Sequence, residues 1–185
     1  ARHSYLATMI MRRLLSKSYD LEVDERQFFD HPPFGISNNK GTIDEYKARI
    51  GEAVRLLHRY GVPCVISTVA GNYADWGPNR SVYCGKQADQ PEFRKCMDDG
   101  CAVEKQAMLA EAVTNYLRAL SFCDGFAETH YRLGRCYEKL GEYEDAMREY
   151  HRAVNDDGMP IRATDEQNSF ITSIPADSIV HPVDA

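Results

Sequence analysis

Three of the six cysteines, Cys84, Cys96 and Cys101, fall within eighteen residues. Thiols at that density can hold a metal, form a disulfide or simply pack. Their spacing, C-x11-C-x4-C, contains no histidine and none of the short paired intervals of a zinc site, so no metal is expected. Packed free thiols and a disulfide among the three stay open as alternatives. A disulfide would imply a periplasmic or extracellular compartment, and reduced thiols a cytoplasmic one. Ser67 and Ser81 offer hydroxyls but no base beside them, and no motif implies a cofactor. A second group is Thr129, His130, Arg132 and Arg135, in which two guanidinium forks lie near one another and suit a carboxylate. A third is Asn72, Asp75 and Trp76, which put the only tryptophan in a Gly-, Asn- and Pro-rich stretch.

Something must position these groups, and composition bounds what it is. A chain of 185 residues, 43% hydrophobic and 27% charged, makes one compact domain or two small ones. Its formal charge of -6 argues against nucleic acid as a partner, since holding phosphates needs clustered Lys and Arg. The one basic cluster is Arg12, Arg13 and Lys17. Apolar runs reach only a handful of residues, far short of the roughly 20 that cross a bilayer, so no transmembrane span is expected. The chain opens on Ala1 in a stretch that fits a secretory signal poorly and predicts a helix from Arg2 to Leu15, as in a processed or fragmentary chain.

From Lys17 to Lys40 the sequence is loop-like around Phe28 and Phe29, with Pro32, Pro33, Asn38 and Asn39. Thr42 to Glu45 reads as a capping box, and Ile43, Tyr46, Ile50, Ala53, Val54, Leu57 and Tyr60 then form a stripe that must be buried. Gly61 is expected to end that helix in a left-handed conformation. The run Val62 to Val69 is β-branched without polar alternation, as in a parallel strand covered on both faces. A single strand cannot bury itself, so the rest of its sheet is expected from elsewhere, in the limit from a larger assembly. The loop that follows, with Asn72, Asp75 and Trp76, is expected to line a crevice at the strand's carboxyl end.

The second half repeats itself. Gly100, Ala112, Tyr116, Arg118 and Ala119 recur 34 residues later as Gly134, Ala146, Tyr150, Arg152 and Ala153, which is the period of tetratricopeptide (TPR) helical hairpins. Residues 127–160 form the clear copy. Residues 93–126 form a weaker one, with Asp99 at an apolar position, Ala107 at the turn glycine, and a convincing helix only from Met108 to Phe122. Tyr116, Tyr137, Tyr143 and Tyr150 are read as core fillers, and Thr129, His130, Arg132, Arg135 and Cys136 as facing a groove for a peptide or protein partner. About three such units are normally needed, so something else must cap these two. Thr164 marks the start of a further helix, and 175–185 reads as an extended tail.

Taken together, the capped helix, Gly-Val-Pro, strand, Asn-Tyr-Ala-Asp-Trp-Gly-Pro loop, repeat pair and Arg-Ala-Thr-Asp-Glu-Gln-Asn segment resemble SGNH (GDSL-type) hydrolases interrupted by TPR repeats. That resemblance implies a mostly helical α/β chain: a partial flavodoxin-like segment at 1–90, two repeats at 91–160 and a return segment at 161–185. It also implies ester hydrolysis by a serine, with Asp177 and His181 as remaining triad members. The family's Gly-Asp-Ser and Gly-x-Asn-Asp blocks are not in this sequence. The chain as it stands is therefore expected to be inactive, serving protein–protein interaction or as a structural subunit. The alternative is a serine esterase whose nucleophile-bearing strand lies outside this chain.

Overall fold

A computed structural model describes residues 39–185, within a compact unit spanning Gly35–Ala185. The expected helix from Arg2 to Leu15, the basic cluster of Arg12, Arg13 and Lys17, and the loop around Phe28 and Phe29 lie outside the described residues. In chain order the elements are α1 (Asn39–Tyr60), β1 (Cys64–Ser67), a 3-10 turn (Gln87–Asp89), α2 (Gln90–Lys105), α3 (Leu109–Leu120), α4 (Ala127–Leu140), α5 (Tyr143–Asn155), α6 (Asp165–Thr172) and β2 (Val180–Val183). The described chain is mostly helical.

Helix α1 starts three residues before the expected capping box, so Thr42 lies inside it. The helix runs through Gly41 from Asn39, and an S/T-x-x-E pattern caps only when the chain ahead of it is non-helical. Gly61 does end the helix, at φ 63°, with Val62 N–H donating to the Leu57 carbonyl at 3.0 Å. The apolar stripe of α1 is only half covered among the described residues: Ile43, Tyr46, Ile50, Val54 and Leu57 are intermediate, and Tyr60 is 71% exposed.

The strand is shorter than Val62 to Val69 and is not covered on both faces. Its exposure alternates, with Cys64 and Ile66 turned inward and Val65 and Ser67 outward. Its partner comes from the expected tail: β2 pairs with β1 in parallel, Cys64 opposite Val180 and Val65 opposite His181. Helix α6 packs on both strands, so β1, α6 and β2 form a parallel β–α–β unit with the hairpins inserted between β1 and α6. Thr164 caps α6 as expected, and its amide donates to Gln167 Oε1 at 2.9 Å in a true capping box.

Both repeats are complete helical hairpins, α2 with α3 and α4 with α5, and α3 stacks on α4. The first hairpin's first helix, doubtful from sequence, is a regular 16-residue helix with Pro91 in its opening turn. Asp99 is tolerated because it is exposed there. A Cβ added to Gly100 would lie 2.6 Å from Tyr116 Cε1, and one added to Gly134 would lie 2.6 Å from Tyr150 Cδ1. In each hairpin the tyrosine hydroxyl reaches a glutamate 34 residues from its counterpart: Tyr116 to Glu104 and Tyr150 to Glu138, both at 2.7 Å. The turns correspond too, since Ala107 and Gly141 both take a left-handed φ, 59° and 82°. The core between hairpins holds Phe93, Tyr116, Phe126, Leu133 and Tyr150, all essentially buried. Each such side chain contributes about 1.5–3 kcal/mol through lost water contact. Of the tyrosines expected as fillers, Tyr143 is not one; it is 68% exposed at the start of α5.

Candidate functional site

On α4, Glu128, Tyr131 and Arg135 fall three and four residues apart and therefore share one helical face. Arg132, one position round from Tyr131, is held by carboxylates on two sides. It donates to Glu128 at 2.7 Å along its own helix and to Glu104 of α2 at 3.2 Å, and Tyr116 donates to that same Glu104 oxygen. These groups are nearly buried, so the network joins the two hairpins through charge as well as packing. Burial pushes the Glu128 carboxyl above its ordinary range, opposed by the adjacent Arg132. Arg132 itself is held charged by Glu128 and by the other groups around it, against the opposing effect of burial. Its fork is thus already filled from within, whereas among the described residues Arg135 makes no ion pair and remains half-buried.

Thr129 and His130, expected to face a groove, are wholly buried. The Thr129 hydroxyl donates to Met97 Sδ at 3.0 Å, and the His130 ring lies between Glu149 Oε2 at 2.6 Å and the Asp124 carbonyl at 2.5 Å. Cys136 is buried as well, and burial raises its thiol to about 11. Thr129, Leu133 and Cys136 thus share one inward face of α4, while Tyr131 and Arg135 are half-buried on another. Tyr131 was missed because an aromatic at helical spacing reads first as core.

What caps the repeats is residues 70–86, an irregular segment that follows β1. Tyr73 stacks on His151 of α5, ring centres 4.4 Å apart. The Tyr131 hydroxyl donates to the Ala74 carbonyl at 2.9 Å, and Gly77 comes so close that an added Cβ would lie 3.2 Å from Tyr131 Cε1. Asp157, buried just past α5, accepts from the amides of Asn79 and Arg80 at 2.8 and 2.9 Å. Ser81 Oγ accepts the Glu128 amide at the start of α4, and Tyr83 packs on Phe93 at 5.0 Å. Arg162, beyond the second hairpin, donates to the carbonyls of Asn72, Trp76 and Gly77. Desolvation lowers the pKa of its guanidinium. Asn72 and Asp75 bond to each other in a local turn, and the Trp76 side chain is 53% exposed.

That segment, a strap over the hairpins, ends in a disulfide, though not one within the trio Cys84, Cys96 and Cys101. Cys84 bonds Cys123, in the loop between α3 and α4, closing 39 residues of chain. Cys96 and Cys101 remain thiols on α2. The trio's nearness in sequence misleads because Cys96 and Cys101 belong to one helix while Cys84 belongs to the strap. Among the described residues no group of three or more His, Cys, Asp or Glu is arranged to hold a metal. No described helix is long and apolar enough to cross a membrane.

A cleft of about 690 Å³ opens where β1 and β2 end, lined by Thr68, Tyr73, His151, Asp165 and Asn168 among others. The loop after β1 does border a crevice, through Gly71 and Tyr73 rather than Asn72, Asp75 or Trp76. His151 Nδ1 lies 2.8 Å from Asp165 Oδ1, and Asn168 brackets the backbone of Val69 with both its amide oxygen and nitrogen. Asp177 lies in the turn before β2. Its carboxylate accepts the amides of Ile179 and Val180, which depress its pKa, and its second oxygen stands 3.4 Å from His58 Nε2. His181 is exposed on the outer face of β2, opposite Val65.

The hairpin geometry has a counterpart among known proteins. Residues 127–157 match the tetratricopeptide repeat family. No curated protein and no solved structure matches the chain. The match covers the second hairpin, and the equal Gly–Tyr and Tyr–Glu geometry of α2 and α3 extends the same architecture to the first.

Proposed function

We propose that the chain is a protein-docking module that receives a partner's peptide segment along α2 and α4. The observation that carries this is the face of α4 bearing Tyr131 and Arg135, on which Arg135 makes no ion pair among the described residues while Arg132 is neutralised from within. An unpaired, partly desolvated guanidinium favours a partner segment with a carboxylate. A peptide-display selection against the full chain, followed by titration calorimetry of the selected peptides, tests this. Acidic peptides that lose tenfold or more in affinity on Arg135→Glu support the reading, a loss of about 1.4 kcal/mol. Selections that yield none, or peptides indifferent to Arg135, contradict it.

The scaffold beneath is proposed to be a sheet remnant that serves structure. What supports it is the parallel pairing of β1 with β2 around α6, with one face open at Val65 and Val183. In that reading the described part of the hydrolase-like frame, 39–90 and 161–185, acts as a mount for the repeats at 91–160. The esterase alternative finds no supporting observation: the Asp177 carboxylate is occupied by its own turn and by His58.

A further inference from the structure

We propose that the Cys84–Cys123 disulfide is a thiol-operated latch on the strap, opened by a dithiol reductant that attacks at Cys84. The two sulfurs are placed differently: Cys84 is exposed, whereas Cys123 is 2% exposed beneath the strap. An incoming thiolate therefore reaches the Cys84 sulfur and forms a mixed disulfide there, and Cys123 departs as a thiolate that takes up a proton. The reductant's second thiol then attacks its own sulfur in the mixed disulfide. It leaves as a cyclic disulfide, Cys84 is released as a thiol, and two electrons have passed to the protein. Two of the protein's four other described thiols are poor rivals for this exchange. Cys96 and Cys136 are buried, and burial raises both their pKa values, so little thiolate is present to reshuffle the bond.

The latch holds something worth releasing. Beside it, Tyr83 covers Phe93, which in turn meets Phe126 edge-on at 4.9 Å, at the joint between the two hairpins. The backbone there is so close that a Cβ on Gly85 would lie 2.3 Å from the Phe122 carbonyl oxygen. With the bond cut, the segment from Ser81 to Gly85 lifts from this joint and the strap loosens over Tyr131. Partner access to the α4 face then follows the redox state. That consequence rests on the docking function proposed above; the latch itself does not, and it is read without any peptide.

Hydrogen exchange and tryptophan anisotropy on the full chain test it. Trp76 is the sole tryptophan and sits in the strap, so its fluorescence reports the strap alone. On treatment with dithiothreitol, amide exchange across residues 79–85 rises roughly tenfold or more and Trp76 anisotropy falls, while α2 to α5 keep their protection. Cys84→Ser reproduces this without reductant. Unchanged exchange and anisotropy in both samples would overturn the latch. So would loss of protection through α2 to α5 together with the strap, since the bond would then be a staple of the whole fold. Failure of peptide selection with a mobile reduced strap would sink the docking function and leave the latch standing.

Discussion

Ala107 is the residue at which the sequence's departure from its own repeat has a measurable cost. It takes φ 59° where the second hairpin places Gly141 at 82°. A left-handed conformation costs a side chain about 1–2 kcal/mol, while glycine's extra freedom in the unfolded chain returns about 0.5–1 kcal/mol of that. The balance predicts that Ala107→Gly stabilises by ~0.5 kcal/mol and Gly141→Ala destabilises by a similar amount, as read from urea denaturation midpoints at constant slope. Changes of the same sign, or both reversed, would mean that the two turns are not equivalent. Gly100 and Gly134 make a second matched pair. Alanine at either forces a Cβ to 2.6 Å from a buried tyrosine ring and costs about 1–3 kcal/mol in both hairpins.

At the scale of elements, the joint between hairpins is electrostatic as well as apolar, and its pH dependence has a definite sign. Desolvation raises the folded-state pKa of Glu128, so its contribution is most favourable below the ordinary carboxylate range and is lost as pH rises through the raised value. Asp156 shifts the same way for the same leading cause. Stability measured by denaturation is therefore expected to fall over that rise, and Glu128→Gln to flatten the fall. A profile unchanged by Glu128→Gln would remove Glu128 as its source. Arg132→Met leaves Glu104 and Glu128 facing each other unpaired and costs about 3–5 kcal/mol near neutral pH, with part of the loss recovered on acidification.

At the scale of the molecule, the periodic parts were legible and the irregular parts were not. The 34-residue recurrence gave both hairpins, and Gly61 and Thr164 gave two helix ends, because spacing and capping are local chemistry. The pairing of β2 with β1 was not legible, since two short runs more than a hundred residues apart carry no mutual signal. The strap was unreadable for the same reason: Asp157 and Arg162 look like ordinary surface charges until they are seen gathering amides and carbonyls from residues 72–80. Two repeats stand here because that strap does the work of a third. Arg162→Ala, which removes three donated hydrogen bonds, is predicted to destabilise the chain by about 1.5–3 kcal/mol and to raise exchange across residues 72–78.

Docking along α2 and α4 is the claim on which the functional account stands, and a hydrogen-exchange footprint of a selected acidic peptide on the full chain tests it most directly. Protection confined to α2 and α4, centred on Tyr131 and Arg135 and abolished by Arg135→Glu, is the predicted result. Protection that falls instead on α1 and β1, with α4 unchanged, would contradict it.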